Sequence, residues 1–159
     1  MVEVRIEKKP SFIVSGKKIW ISGQDNSLFA KFWEDCNSDG TVERLKQLSE
    51  KADKNVTKSL IFGVSRVEKD PSNRAFDFYI CSECENNDEF ESFVIPECEW
   101  AIFRNTGDNV GAALIEAEMY CHMDWLNKSE YKHAFAPEIE VYPYNDNSSV
   151  EYWLPIVRK

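Results

Sequence analysis

The chain has 159 residues, enough for a full-sized hydrophobic core, and we expect residues 1–159 to form a single domain. Hydrophobic residues make up 43% of the chain and charged residues 30%, a balance typical of soluble globular proteins. The formal net charge of −9 argues against a nucleic-acid or anionic-membrane partner, because both are bound by stripes of lysine and arginine.

The sequence also limits the cellular compartment and the kinds of metal or cofactor site that we expect. Its N-terminus, MVEVRIEKKP, lacks the apolar core of a signal peptide, and no apolar run reaches the roughly 18 residues that span a bilayer. The five cysteines, an odd number, are therefore expected to be reduced thiols, which predicts a cytoplasmic protein. Cys81 and Cys84 lack the second ligand pair of a structural zinc site, so we expect no metal ion and no cofactor.

The first half of the chain predicts strands, then helices, then strands. Residues 2–22 alternate β-branched and charged side chains, which predicts extended structure with breaks at Pro10 and Gly16. A helix is predicted in DNSLFAKFWEDC, where residues 25–27 offer capping oxygens, and a second in TVERLKQLSEKA, with Thr41 as its cap. Strands are predicted at residues 60–64 and 76–80, separated by a polar turn that contains Pro71.

The second half repeats this order. Residues 93–95 and 100–103 are predicted to be extended, a long helix follows from about 109 to 126, and strands return at 139–142 and 150–156. Matching pieces of the two halves lie about 80 residues apart, which indicates an internal duplication. We therefore predict an α+β fold of two strand-helix-strand-strand units, about 1–84 and 90–159, with helices on one face of a sheet.

The last two predicted strands alternate between two sets of side chains. In the last strand the sets are Val150, Tyr152, Leu154 and Ile156 against Glu151 and Trp153. In the preceding strand they are Ile139 and Val141 against Glu138, Glu140 and Tyr142. We expect the aliphatic sets to pack on helices, so that the carboxylates and the remaining aromatic rings share the other face. Such a face suits a pocket for a lipophilic cation, although a plain solvated face would show the same alternation.

Three segments are more specific: WAIFRNTG, DWLNKSEYKHAFAPEIEVYP and VEYWLPIVRK. Together they resemble the C-terminal half of the GyrI-like small-molecule-binding domain, and the upstream FGVS and FDFYI resemble its central strands. The resemblance implies the duplicated strand-helix-strand-strand (SHS2-type) fold of the regulatory-factor effector-binding domains. It also implies a central cleft between the halves with an acidic residue at its floor.

Carried over to this sequence, the resemblance also implies the binding residues. Glu140 matches the acid, Trp153 and Trp100 match aromatic positions that wall the cleft, and Glu151 lies beside Trp153. Tyr79 and Tyr120 are further candidates, placed only by strand or helix phase, and Glu138 is expected at the rim.

The function that the resemblance implies is binding of a small molecule, a lipophilic cation or an aromatic compound. Related domains are the effector-binding parts of AraC- and MerR-type multidrug regulators, and without a basic recognition helix we expect a stand-alone form with no direct nucleic-acid contact. The alternative is a hydrolase that opens strained cyclopropane rings, with Glu140 or Glu151 as general base and Tyr79 or Tyr120 as proton donor. A third hypothesis is a gyrase-inhibitor-like protein whose acidic surface docks on a basic protein partner.

Overall fold

The computed structural model describes residues 1–22, 27–51, 56–57, 60–69, 75–85 and 87–159. The strands are β1 (Glu3–Lys9), β2 (Phe12–Ile21), β3 (Leu60–Ser65), β4 (Phe76–Glu83), β5 (Glu91–Ile95), β6 (Cys98–Thr106), β7 (Tyr131–His133), β8 (Glu138–Pro143) and β9 (Ser149–Arg158). The helices are α1 (Ser27–Ser38), α2 (Thr41–Glu50), α3 (Val110–Tyr120) and α4 (Leu126–Lys128), with a π-helical turn (Cys121–Trp125) between the last two.

The strands form one antiparallel sheet in the order β1-β6-β9-β8-β3-β4-β2-β5, with β7 paired to β9. This order is symmetrical about the central pair, β8 and β3, and the predicted α+β fold is confirmed. The first strand of each predicted unit pairs with the other unit, β1 with β6 and β5 with β2. This exchange of strands supports the duplication, with unit boundaries near 84 and 90, that we propose for the chain.

Local details differ from the predictions at one glycine and one helix cap. The predicted break at Gly16 is wrong, because β2 continues through it. A Cβ at residue 16 would lie 2.0 Å from the carbonyl oxygen of Ile80, so glycine is needed for the close approach of β4. Thr41 does not cap α2. Instead Asp39 accepts a hydrogen bond from the backbone N–H of Thr41 at 2.9 Å, and Gly40 adopts a φ of 89° at the helix start.

Other predictions fall outside the described residues or were incomplete. The capping residues at 25 and 26 and the turn around Pro71 lie outside the described ranges. The long helix predicted to end near 126 is α3, the π-helical turn and α4 in succession, and Asn109 caps its start by accepting from the N–H of Ala112 at 3.0 Å. The short strand β7 has no counterpart in the sequence predictions.

The sheet is apolar on both faces. On one face, α1 and α2 cover the first half and α3 covers the second half. The residues buried there include Phe32, Leu45, Phe78 and Ile80 under α1 and α2, and Phe103, Ala117, Leu154 and Ile156 under α3. The opposite, helix-free face buries a second cluster that includes Phe12, Phe62, Trp100, Ile139, Val141 and Trp153. Between the two groups of helices, the central strands β3 and β8 form the floor of a cleft.

Candidate ligand-binding cleft

The central cleft contains a cavity of about 330 Å³. Its lining comes from α1, α2, β3, the start of α3, β8 and the segment after β8: Trp33, Asn37, Val42, Lys46, Ile61, Val110, Tyr142, Pro143, Tyr144 and Asn147. A cavity of this size, with aromatic walls, is at the lower end of the range for small-molecule sites.

Glu140 lies on the floor beside this cavity, on the helix-bearing face of β8. It pairs with Gly63 of β3, and a Cβ at residue 63 would lie 2.5 Å from Glu140 Oε1 and 2.6 Å from Glu140 Cγ. The Glu140 side chain therefore lies across the bare backbone of Gly63, a place that any larger residue at 63 would occupy. The glycine inside the apolar run LIFGV thus makes room for the carboxylate.

Two aromatic donors hold the Glu140 carboxylate. Trp33 Nε1 of α1 donates to Oε1 at 3.1 Å, and the Tyr142 hydroxyl donates to the same oxygen at 3.0 Å. The two rings pack edge to face, with centroids 5.0 Å apart and an angle of 76° between their planes. Trp33 and Tyr142 also line the cavity, so the same two side chains contact both the cavity and the carboxylate.

The surroundings of Glu140 favour its neutral form. Burial raises the pKa of Glu140 to about 7, against the hydrogen bonds from Tyr142 and Trp33, which lower it. At neutral pH the carboxyl group is therefore divided between its protonated and ionised forms. A cation placed beside it would draw it to the ionised form.

A second carboxyl group with a raised pKa, that of Glu118, lies on α3. Burial, followed by the charges of Glu140 and Glu138, raises the pKa of Glu118 to about 8. Like charges on neighbouring carboxylates disfavour ionisation of all of them together.

Glu138 is the third carboxyl group of this region after Glu140 and Glu118, and it is ionised and held in place by two neighbouring side chains. It accepts from the Tyr152 hydroxyl at 2.6 Å and pairs with His133 Nε2 at 2.9 Å, while His133 Nδ1 faces the carbonyl oxygen of Ala134. Both ring nitrogens of His133 face acceptors, an arrangement that favours the doubly protonated imidazolium. Burial acts to raise the pKa of Glu138, but the bonds from His133 and Tyr152 outweigh it and hold the pKa below its usual value. The bond to Glu138 raises the pKa of His133.

The π-helical turn extends this network to α3. His122 lies in the turn, and its Nε2 is 2.9 Å from the Tyr152 hydroxyl. Because that hydroxyl donates to Glu138, His122 Nε2 is the donor to Tyr152. Single π-helical turns occur often at functional sites, and this one places an imidazole in contact with the polar floor.

The structure does not bring the predicted binding residues together. In the β8–β9 register, Glu140 pairs with Tyr152 and Ile139 pairs with Trp153, so Trp153 and Glu151 lie on the helix-free face. The prediction that Glu140, Glu151 and Trp153 share a face is therefore wrong. Alternation sorts side chains within one strand, but it does not show which set of the next strand lies on the same face.

The other candidates also lie away from Glu140. Trp100, fully buried, packs against Trp153 in the helix-free cluster, and the Tyr79 hydroxyl in the same cluster donates to Glu91 at 2.8 Å. Glu151 accepts from Trp153 Nε1 at 2.9 Å and pairs with Arg5 at 3.0 Å. Tyr120 lines a separate surface depression with Asp124, Trp125, Lys128 and Ser129.

The sequence did not predict the residues that surround Glu140 and Glu138 on the helices and the neighbouring strands. Trp33 lay in the apolar stripe of the first predicted helix, and Glu118 in the long helix, where nothing in the sequence distinguished them. Gly63 carried a usable signal, since an isolated glycine inside a strand often marks the close approach of another group. The predicted position of Glu138 at the rim did not include its bonds to His133 and Tyr152.

Two classes of site are not found in the part of the chain that the structure describes. No group of three or more His, Cys, Asp or Glu residues there could hold a metal ion. None of the described helices has the length and apolar character needed to cross a membrane.

Comparison with known structures defines the class of the fold. SAV2435, solved bound to tetraphenylphosphonium, is 17% identical, with a TM-score of 0.81 over 98% of this chain and 94% of that one. An integron cassette protein of Vibrio cholerae, VCH_CASS2, is 19% identical, with a TM-score of 0.66 over 97% and 95%. The C-terminal domain of EcmrR is 15% identical, with a TM-score of 0.64 over 100% and 99%. These likenesses show that the fold is that of the GyrI-like effector-binding domains.

The sequence family follows from a separate comparison. The family described as "Cass2: Integron-associated effector binding protein" matches residues 5–156, and the chain belongs to this family. No curated protein matched the chain by sequence. The family defines an effector-binding protein, and its fold is the one found in the GyrI-like effector-binding domains.

Proposed function

We propose that the chain binds lipophilic organic cations in the central cleft, with the Glu140 carboxylate as the counter-charge and Trp33 and Tyr142 as the aromatic contacts. The observation that carries the proposal is the position of Glu140. It is a partly buried acid with a raised pKa, seated over Gly63 beside an aromatic-lined cavity. A cation there would gain both charge neutralisation and cation–π contact. The tetraphenylphosphonium bound to SAV2435, a protein of the same fold, supports this ligand class.

The proposal concerns binding without direct contact to nucleic acid. The net charge of −9 supports this, because a nucleic-acid surface requires positive charge. The five cysteines are free thiols, which supports a reducing compartment such as the cytoplasm.

The test is calorimetric titration of tetraphenylphosphonium at pH values from 5.5 to 8.5. Affinity should fall on acidification through about pH 7, roughly tenfold or more over the range, because the cation binds the ionised form of Glu140. Glu140→Gln should weaken binding and remove most of this pH dependence. Glu116→Gln, on the exposed side of α3, is the matched control and should behave as wild type. Equal affinities in wild type and Glu140→Gln at pH 8.5 would contradict the proposal.

A further inference from the structure

Glu118 lies on α3, the helix that covers the half of the sheet opposite α1 and Trp33. It lies on α3 two turns after Val110, which lines the cavity, and one turn after Leu114, which is buried on the sheet. Its neighbour Ala117 is fully buried, whereas Glu116 and Met119 are exposed, so Glu118 is at the boundary between the packed side of α3 and solvent. Among the described residues, its carboxyl group has no hydrogen-bond or ion-pair partner.

Glu118 is electrically coupled to the floor of the cleft. Its charge acts on Tyr142 of β8 and on Tyr152 of β9, and the charges of Glu140 and Glu138 act on Glu118. Cys121, at the start of the π-helical turn, is coupled to both Glu118 and Glu138, and His133 and His122 act on Glu138. The lysine of the cavity lining, Lys46, lies with its Nζ 5.3 Å from the Tyr144 ring centroid, at the α2 side of the cleft.

The three carboxylates therefore differ in what they can offer a ligand. Glu138 is already neutralised by His133 and hydrogen-bonded by Tyr152. Glu140 and Glu118 have no cationic partner among the described residues. They come from β8 and α3, and each of these elements contributes a residue to the lining of the aromatic cavity, Tyr142 and Val110. A ligand with one positive charge can compensate one of the two, and the other then stays protonated, since neighbouring carboxylates do not both ionise without a counter-charge.

We propose that Glu118 is a second anionic anchor, which makes the central cleft prefer organic dications over monocations with the same ring system. This inference rests on the proposed cation-binding function and narrows its ligand class. A planar ring system would lie against Trp33 and Tyr142 with its ring charge at Glu140, and a second ammonium group would reach Glu118. Each carboxyl group gives up its proton when a positive charge arrives, so a dication releases more protons than a monocation.

Ethidium and propidium provide the matched probes, because they share one phenanthridinium ring system and propidium carries an additional quaternary ammonium group. At pH 7 the wild type should bind propidium at least about tenfold more tightly than ethidium, the factor that corresponds to one pKa unit of differential interaction. Titrations in two buffers with different ionisation enthalpies should show a larger proton release for propidium. This measurement uses the wild type alone.

Substitution then assigns the preference to one residue. Glu118→Gln should weaken propidium about tenfold, leave ethidium unchanged or tighter, and abolish the extra proton release. Glu116→Gln should keep the wild-type preference. Equal affinity of the two dyes in wild type, or equal loss of both in Glu118→Gln, would overturn the dication preference alone. Failure of both dyes and of tetraphenylphosphonium to bind the wild type would overturn the proposed function, and this inference with it.

Discussion

The side chain of Glu140 lies directly across Gly63 of the neighbouring strand, so close that a Cβ on residue 63 would be 2.5 Å from Glu140 Oε1. This relationship fixes the acid at the cleft floor, where Trp33 and Tyr142 reach the same carboxylate oxygen. The absence of a side chain at Gly63 thus determines where the Glu140 carboxylate lies, so a substitution at residue 63 also changes the surroundings of residue 140.

Gly63→Ala should displace the Glu140 side chain and break its bonds to Trp33 and Tyr142. The loss of two hydrogen bonds predicts a free energy of unfolding about 1–3 kcal/mol lower, together with weaker binding of tetraphenylphosphonium. Urea unfolding and calorimetric titration measure the two effects. Gly111→Ala is the control, because the nearest atom to a Cβ at 111 is Asn109 Oδ1 at 3.4 Å and alanine favours the helix. A Gly63→Ala variant with wild-type affinity would contradict the placement of Glu140.

Glu140→Gln should stabilise the folded protein at alkaline pH in the absence of ligand. The pKa of Glu140 is about 7 in the folded state and near 4.5 in the unfolded chain, so folding favours the protonated form. The stability that Glu140 contributes is fully present below pH 4.5, and it is lost as the pH rises from there through about 7. The gain from Gln is then up to about 3 kcal/mol at pH 8 and below about 1 kcal/mol at pH 5. Urea unfolding at both pH values measures it, and a gain independent of pH would argue against a raised pKa.

The pair of Glu138 and His133 should contribute stability within a window of pH. The pKa of Glu138 is lowered, so its contribution to stability is present above about pH 4.5 and is lost on acidification. The pKa of His133 is raised, so its contribution is present at low pH and is lost as the pH rises through that pKa. His133→Ala should therefore cost about 1–3 kcal/mol at pH 6, between the values for exposed and buried pairs, and less at pH 9. Lys132→Ala, an exposed change on β7, is the control for urea unfolding. Equal costs at the two pH values would show that the ion pair is not the cause.

Trp33→Phe should keep an aromatic wall while it removes one donor to Glu140. Since that hydrogen bond lowers the pKa of Glu140, its loss should raise the pKa further and move the acidic loss of cation affinity to higher pH. Tyr142→Phe should act in the same direction. Trp20→Phe, an exposed tryptophan on β2, should leave the pH profile unchanged. The profile is measured by titration with tetraphenylphosphonium, and a midpoint that does not move in either cleft variant would contradict the hydrogen-bonding role.

The sequence predicted the elements well because alternation and helical spacing are local patterns. Through the resemblance of the last two strands and the helix before them to a known domain, it also predicted Glu140 as the acid of the site, and we keep that residue in the proposal. Strand phase was correct within β8, where Glu140 alternates with Ile139 and Val141, and within β9, where Trp153 alternates with Tyr152 and Leu154.

Alternation could not predict which side chains of β8 and β9 lie on the same face of the sheet. The sheet is buried on both faces, so apolar side chains do not identify the face that carries the helices. In β9 the aliphatic set packs under α3, whereas in β8 Ile139 and Val141 lie on the helix-free face. The register between strands decides which side chains meet, and long-range packing decides that Trp33 reaches Glu140 from a segment 107 residues away.

The most direct test of the account compares two glutamates from adjacent strands that lie on opposite faces of the sheet. Tetraphenylphosphonium is titrated at pH 8 into wild type, Glu140→Gln and Glu151→Gln. The helix-bearing face carries the cleft, so Glu140→Gln should lose affinity roughly tenfold or more, the effect of removing one ion pair from a partly buried site, while Glu151→Gln binds as wild type. Loss of affinity in Glu151→Gln with retention in Glu140→Gln would place the ligand on the helix-free face and contradict the account.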